Sequence, residues 1–527
     1  MPQTDLSNLL ERMAAPHVGA GELRRCAEIL QAVVGDRGLL TLLSKEERKA
    51  LLTAAGRISR PGRDEERRLR RTFKKVQKHQ TRSADRHANA RTGIRAAREK
   101  PVFEAPAKQH VAEQGAQDYR ELKKPKNCYV CKAEFTRLHF FYDLMCPACA
   151  EFNYAKRFQT ARLDGWVALI TGARLKIGYQ AALKMLRAGA RVIATTRFPH
   201  DAAQRYAREP DFTDWRERLH VHGLDLRHSP SVEIFTRYLN SRYERLDILI
   251  NNAAQTVRRP VAFYQHLLEF EAKPAGELPR ELRQVLAGHE ECIAALSGRG
   301  HEHSHHALAG GSDLALGGDD RSAGVGLRCS AALSQVRYTY DDAQCGRDVF
   351  PEGKTDADLQ QLDLRTQNSW RMSLAEVPTP ELLEVQLVNA IAPFILCSRL
   401  KSLMLKQPTG QRHIVNVSAM EGIFSRGTKT DKHPHTNMAK AALNMLTLTS
   451  APDYAHDGIH MNAVDTGWVT DEDPVVHAAR KREEHDFQPP LDIVDGAARV
   501  CDPFFSGVLT GTHVWGKFLK DYKPATW

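Results

Sequence analysis

Four thiols and one glycine-containing turn are the features of this chain that point most directly to chemistry. Cys128 and Cys131 are two residues apart, fourteen residues follow, and Cys146 and Cys149 repeat the spacing. Two such knuckles in one short segment can aim four thiolates at a single tetrahedral ion, with zinc the default. Four sulfur ligands leave no open position, so a structural Zn2+ is expected rather than one that activates water. An iron–sulfur site and a redox pair are the alternatives. Phe135, Leu138, Phe140, Phe141 and Tyr142 lie between the knuckles and give a mini-domain something to pack on.

The turn is Thr171-Gly172-Ala173-Arg174-Leu175-Lys176-Ile177-Gly178. An apolar run from Val167 to Ile170 precedes it, and Ala182, Leu183, Met185 and Leu186 follow at helical spacing. Gly189 closes that helix, and Arg191 to Thr195 reads as a second buried strand. The whole is one βαβ unit. Gly172 permits a sharp turn, Gly178 permits close helix–strand packing, and the free N–H groups of the helix start face a pyrophosphate.

In these residues the chain resembles the short-chain dehydrogenase/reductase family, from about Asp164 onward and leaving out a large insert. The family's first motif is TGxxxGxG, and Lys176 replaces its middle glycine. Leu224-Asp225-Leu226 is similar to the segment whose aspartate contacts adenine. Leu246 to Ala254 (LDILINNAA) resembles the NNAG strand, with Asn252 and Ala253 kept and Ala254 in place of glycine. Asn462 to Thr470 (NAVDTGWVT) resembles the NxVxPGxVxT segment beside the nicotinamide, with Thr466 for proline before Gly467. The resemblance implies an α/β fold, a Rossmann-type doubly wound parallel sheet. It also implies a nicotinamide dinucleotide held by Thr171, Gly172, Arg174, Lys176, Ile177, Gly178, Arg197, Asp225, Leu226, Asn252, Ala253, Lys440, Thr466 and Gly467.

The charge around the turn favours NADP(H) over NAD(H). An acid at the end of the second strand would bind both ribose hydroxyls. This chain has Thr195-Thr196-Arg197 there, and Arg174 and Lys176 nearby, groups that bind a 2′-phosphate well. Solvated surface cations are the plainer reading of the same residues.

The family's catalytic set is Asn, Ser, Tyr and Lys, with YxxxK on a helix. Asn389 and Lys440 match. Thr436 stands at the tyrosine position and Ala419 at the serine position. Ser418 is one residue off, which on a strand turns its side chain to the other face. An aliphatic hydroxyl is a poor general acid but can still donate a hydrogen bond to a carbonyl. His435, beside Thr436, is a candidate replacement acid; a capping or surface role competes. A tyrosine entering from elsewhere, for example from the insert, is a further route.

Four regions are expected. Residues 1–56 form short helices, a small docking bundle, from apolar spacing such as Leu23, Cys26, Leu30 and Val33. Residues 57–126 form a basic helix or linker. Residues 127–163 form the four-cysteine module, similar to zinc-ribbon or treble-clef units, which bind protein and nucleic acid alike. Residues 164–527 form the Rossmann domain, with the insert at about 257–375. Arg57 to Lys100 holds 16 lysines and arginines against 5 acids, a net +11 equal to that of the whole chain. With Phe73 its only aromatic, that stretch reads as a solvated helix or linker ahead of a nucleic-acid arm. Within the insert, Gly298 to Gly326 has the composition of an unstructured loop, and His301, His303, His305 and His306 read as solvated ahead of metal-binding. The flanks Val336–Asp342 and Leu362–Trp370 carry aromatics that could cover the cofactor crevice.

The remaining cysteines form no disulfide pattern, no secretory signal is visible, and no apolar run approaches the ~20 residues that span a bilayer. A cytoplasmic protein without a membrane partner is expected. Two functional readings follow. One is an NADP(H)-dependent oxidoreductase on an unidentified carbonyl or alcohol, with a modified proton relay. The alternative is a catalytically weak dinucleotide sensor or scaffold, a pseudoenzyme, acting on a protein or polyanion through residues 57–150. The resemblance also implies a homo-oligomer.

Overall fold

Short runs of apolar, often β-branched residues make the central strands, and their burial on both faces requires helices on both sides. The computed structural model describes residues 18–106, 120–297, 323–338, 340–343 and 346–527. The glycine- and histidine-rich stretch expected to be unstructured, with His301, His303, His305 and His306, falls almost wholly outside them.

The chain divides into two units. The first holds residues 1–90 and 121–125. Its helices are α1 (Ala20–Gly35), α2 (Lys45–Ser59) and α3 (Arg63–Ala90). Ser44 caps α2: its hydroxyl accepts the Glu47 N–H at 3.2 Å, and the Glu47 carboxylate accepts the Ser44 N–H at 2.9 Å. Among the described residues, none of α1, α2 or the turn between them is buried. The basic stretch is α3, a single 28-residue helix with Asn89 its one buried residue. Asp64, Glu65 and Glu66 in its first turn suit the positive end of the helix dipole.

The second unit holds residues 91–120 and 126–527. Strand β1 (Glu121–Asn127), most of which belongs to the first unit, precedes the first cysteine knuckle in sequence, and β2 (Glu134–Arg137) follows it. The main sheet then contains β3 (Val167–Thr171), β4 (Arg191–Thr196), β5 (Leu219–Gly223), β6 (Ile248–Asn251), β7 (Arg412–Ser418), β8 (Ile459–Asp465), β9 (Phe518–Lys520) and β10 (Lys523–Ala525). The order is β5-β4-β3-β6-β7-β8-β9-β10, parallel throughout except the last pair. This is the doubly wound Rossmann order. Side chains alternate across the sheet, so β3 feeds two cores. Ala168 and Ile170 pack with Leu183, Leu186, Phe504 and Phe505 on one face. Val167 and Leu169 pack with Phe235, Leu396, Leu400 and Ile414 on the other. Each large apolar side chain, fully buried, contributes about 1.5–3 kcal/mol. Among the described residues, one helical run, Thr379–Leu405, is long and apolar enough by composition to cross a membrane; half of its apolar window is buried, and Leu396 and Leu400 lie in the sheet core.

The insert is built onto this frame. Helix Val261–Glu271 is followed by a break between Pro274 and Pro279, then helix Arg280–Ser297, which lays Leu282, Val285 and Leu286 into the core beside the edge strand β5. Covering that edge keeps its unpaired backbone groups from recruiting another strand.

Candidate active site

β3 pairs with β4 on one side and β6 on the other, so the chain order reverses there and the carboxyl ends of β3 and β6 open a crevice. It has a volume of about 1120 Å³. Its floor is the glycine turn. Gly172 has φ +66°, and a Cβ on Gly178 would sit 2.3 Å from the Gly172 carbonyl oxygen and 2.4 Å from the Asn252 amide. Nothing larger than hydrogen fits. Lys176, at the start of helix Lys176–Arg187, has φ +52°. The left-handed geometry of the replaced glycine is kept, at a cost of about 1–2 kcal/mol for a residue with a Cβ. The Thr171 hydroxyl lies beneath the crevice and accepts the N–H groups of Asn252 and Ala253 at 3.1 and 3.0 Å. The Asn252 amide donates to the carbonyls of Thr171 and Gly172 at 3.0 and 3.2 Å. These bonds lock the NNAA loop to the first turn.

At the ribose end, the three cations expected to meet a 2′-phosphate are not equivalent. Arg174 is buried and donates to Asp201 at 2.6 Å, so its charge is compensated. Lys176 lies 3.8 Å from Asp358 of the insert. Arg197 donates to the Tyr264 hydroxyl at 2.7 Å and has no carboxylate within ion-pairing distance among the described residues. Asp225 is fully buried and accepts Arg227 Nη2 at 2.6 Å. Burial alone would raise its carboxyl, but the Arg227 bonds prevail and hold it below the usual range. Leu226, Ile177, Thr466 and Gly467 also line the wall.

At the opposite end, helix Pro434–His456 carries Thr436 and Lys440 one turn apart on the crevice face. Gly422 lets the preceding turn press against this helix, since a Cβ there would lie 2.6 Å from the Lys440 backbone. A buried amide ladder fixes the helix to the sheet: Asn251 donates to Asn416 at 2.8 Å, and Asn416 to Thr447 at 2.9 Å. Lys440 Nζ donates to the Val417 carbonyl at 2.7 Å. Burial pushes its pKa down to about 8, opposed by the Glu421 carboxylate. Thr436 lines the crevice, and its buried hydroxyl has no hydrogen-bond partner among the described residues. An unsatisfied buried hydroxyl costs about 1–3 kcal/mol, which a ligand acceptor would relieve. Ala419 presents only its methyl. Ser418 instead donates to Asn444 at 2.5 Å.

Profiles of two related families match the chain: "short chain dehydrogenase" over residues 166–271 and "Enoyl-(Acyl carrier protein) reductase" over residues 365–487. An uncharacterized protein of Acanthamoeba polyphaga mimivirus, R665, is 30% identical over 389 residues, covering 72% of this chain and 71% of that protein. The chain belongs to the short-chain dehydrogenase/reductase family. A (+)-neomenthol dehydrogenase of Capsicum annuum is 34% identical over 89 residues, 16% of this chain and 28% of that enzyme. Among solved structures, a short chain dehydrogenase from Burkholderia cenocepacia in complex with NADP is 17% identical, with 68% of this chain and 96% of that one covered and a TM-score of 0.40. The Pseudomonas aeruginosa RhlG/NADP complex gives 16%, 68%, 94% and 0.39. The two profiles leave 272–364 unmatched, inside the expected insert.

Against this family frame, three residues expected at the site do not line the crevice. Thr171 acts from beneath. Asn389 sits in the wide helical turn Leu387–Ile391, where its side chain accepts the Gln255 N–H at 2.7 Å and donates to the Gln255 carbonyl at 3.0 Å. It positions the loop after β6 rather than touching the crevice. His435 needs correction: it is buried away from the crevice, 3.8 Å from Glu381, and burial pushes its pKa down to about 4. A neutral, inward-facing imidazole is no replacement acid. His433, two residues earlier, does line the crevice, at φ +43° and stacked on Trp370 with ring centroids 3.8 Å apart.

Sequence reasoning missed the four-cysteine module as part of this wall. Tyr129 and Lys132, inside and just after the first knuckle, both line the crevice. The Tyr129 hydroxyl accepts the Trp468 N–H at 3.0 Å. The module is fastened to the Rossmann domain by Arg157, which meets Asp492 at 2.7 and 2.9 Å and Asp495 at 2.8 Å, and by Tyr142, which donates to Asp495 at 2.5 Å. No sequence spacing signals a docking surface of this kind. The four cysteine sulfurs lie within 4.8 Å of one another, with Cys131 and Cys146 3.7 Å apart. A tetrahedral ion with ~2.3 Å bonds to sulfur would set these edges near ~3.8 Å, so the four could hold zinc.

Proposed function

We propose that this chain is an NADP(H)-dependent oxidoreductase of a carbonyl or alcohol, in which Thr436, at the tyrosine position, works with the retained Lys440 and without the usual serine. The observation that carries the reading is Thr436, a crevice residue whose buried hydroxyl has no partner among the described residues, one helical turn from a lysine whose pKa is about 8. When bound, the nicotinamide supplies or takes the hydride. Thr436 donates a hydrogen bond to the substrate oxygen and so polarises the carbonyl. Lys440 is the proton reservoir behind it; an acid with a pKa near the working pH transfers protons efficiently. The NNAA loop, held by Thr171 and Asn389, orients the cofactor. The helix start and Gly178 cradle receive the pyrophosphate. Arg197, uncompensated and braced by Tyr264, is the 2′-phosphate contact, with Arg174 a buttress. Cys128, Cys131, Cys146 and Cys149 would hold a structural zinc, and Tyr129 of that module accepts the Trp468 N–H beside Gly467.

The test is calorimetric titration of NADPH and NADH into wild type and Arg197→Ala, with turnover of a carbonyl panel by wild type and Thr436→Ala. NADPH is expected to bind at least roughly 10-fold tighter than NADH, and Arg197→Ala to erase most of that margin. Turnover is expected to fall roughly 10- to 100-fold in Thr436→Ala. Tight NADPH binding with no turnover of any carbonyl would favour the sensor reading, which the methyl of Ala419 in place of a hydroxyl also supports. Metal analysis is expected to give one zinc per chain, lost in Cys128→Ser.

A further inference from the structure

The reaction end of the crevice is strongly basic. The segment between the serine and tyrosine positions reads AMEGIFSRGTKTDKHPHT, from Ala419 to Thr436. From it Arg426, Lys429 and Lys432 line the crevice together with the hydroxyl-bearing Thr428 and Thr430, and Glu421 is its one carboxylate there. Lys132 of the four-cysteine module also lines the crevice.

A charge run is usually a solvated face, so the direction of the groups matters. Lys429 Nζ is folded inward and donates to the Glu421 carbonyl at 2.5 Å. Arg426 donates to the Glu421 carboxylate at 2.8 Å, so that acid is shared between Arg426 and the more distant Lys440. The segment is pinned at its far end by the Trp370–His433 stack and by the His433 N–H, which donates to the Met372 carbonyl at 2.8 Å. Among the described residues, neither Lys429 nor Lys132 has a carboxylate within ion-pairing distance. Lys432 pairs with Asp431 at 3.6 Å and Arg426 with Glu421, so the segment brings three cations and one carboxylate to the crevice, with Lys429 outside any ion pair among the described residues, beside two hydroxyls.

Resting on the oxidoreductase reading above, we propose that the substrate is a carbonyl or alcohol compound bearing a phosphoryl group, held by Lys429, Lys432 and Lys132 with Thr428 and Thr430. The donors outnumber what one carboxylate can accept, whereas a phosphate monoester offers three oxygens and a charge of about −1.5 to −2. Lysine binds such a group as a point charge, and a cleft lined by one sign of charge concentrates anions.

The test uses the full chain saturated with NADPH, so that every cofactor phosphate site is filled. Inorganic phosphate is titrated by calorimetry into wild type and into the Lys429→Ala/Lys432→Ala double variant, with acetate as the carboxylate control. The expected result is saturable phosphate binding to wild type, weakened at least roughly 10-fold in the variant, with acetate at least roughly 10-fold weaker than phosphate. Absence of phosphate binding, equal binding of acetate, or binding unchanged in the variant would each overturn the proposal. NADPH affinity is measured first on the same samples. Failure of NADPH to bind wild type sinks the oxidoreductase reading, whereas NADPH binding without phosphate binding sinks this inference alone.

Discussion

The two ends of the crevice have met substitution in opposite ways. At the dinucleotide end, the middle glycine of the turn is Lys176, yet its φ of +52° keeps the turn. At the reaction end, the tyrosine and serine positions hold Thr436 and Ala419, and the Tyr129 phenol that lines the crevice comes from the four-cysteine module and accepts the Trp468 N–H. The first task belongs to the backbone: N–H groups at a helix start and a sharp turn, which a residue with a Cβ leaves intact for about 1–2 kcal/mol of strain. The second task belongs to side-chain atoms, and an aliphatic hydroxyl cannot ionise as a phenol does. Family membership is thus a safer guide to what this crevice holds than to what it does there.

The contrast between the two ends is most exposed at Gly178. Gly178→Val puts a branched side chain where even a Cβ lies 2.3 Å from a carbonyl oxygen. NADPH binding by calorimetry is expected to fall more than roughly 100-fold, with circular dichroism reporting whether the sheet survives. Retention of affinity would show that the turn is not the phosphate cradle. Next in size, Ala419→Ser with Thr436→Tyr returns both missing groups beside Lys440. Turnover of a carbonyl panel is expected to rise roughly 10- to 100-fold with NADPH affinity unchanged within about threefold. No gain would mean that this reaction end has been rebuilt for a different proton route.

A pH profile separates the two ends more finely. Lys440 is charged below about pH 8 in the folded chain and neutral above it. Its unfolded value lies near 10.5, so between these values the unfolded chain binds the extra proton and this group's contribution to stability rises with pH. Cofactor affinity that uses the ammonium falls over the same window. Wild type is expected to show an inflection near pH 8 in NADPH affinity, and Lys440→Arg, charged throughout, to lack it. An inflection that persists in Lys440→Arg assigns the titration elsewhere. The smallest effect is expected from Lys176→Gly: relief of left-handed strain against added chain entropy leaves stability within about 1 kcal/mol and NADPH affinity within about threefold. A loss beyond roughly 10-fold would make the Lys176 ammonium, and not the backbone, the phosphate contact.

The elements of the Rossmann domain were legible because each rests on local pattern. Val167 to Ile170 is apolar at every position, and the helix after it repeats apolar residues at 3.6-residue spacing. Lys440 and the four cysteines were legible for the same reason, since one helical turn and one CxxC loop each fix neighbours within a few ångströms. His435 misled because position in sequence places a residue on a helix but not on a face, and here the imidazole turns to Glu381 and into the protein.

The strands, the glycine turn, the replaced catalytic positions and the metal-ligand spacing can therefore all be read from the amino-acid order alone. They depend on backbone periodicity and on residues at most a few turns apart. Which cation is left outside an ion pair among the described residues, Arg197 rather than Arg174, emerges only on folding, because Asp201 approaches through packing of another helix. The same holds for Asn389 bracing the NNAA loop, for Trp370 of the insert stacking on His433, and for Tyr129 and Lys132 of the four-cysteine module closing the reaction end. Each of these joins residues tens to hundreds of positions apart, and such contacts follow from how whole elements bury their apolar faces together. No local spacing records that outcome.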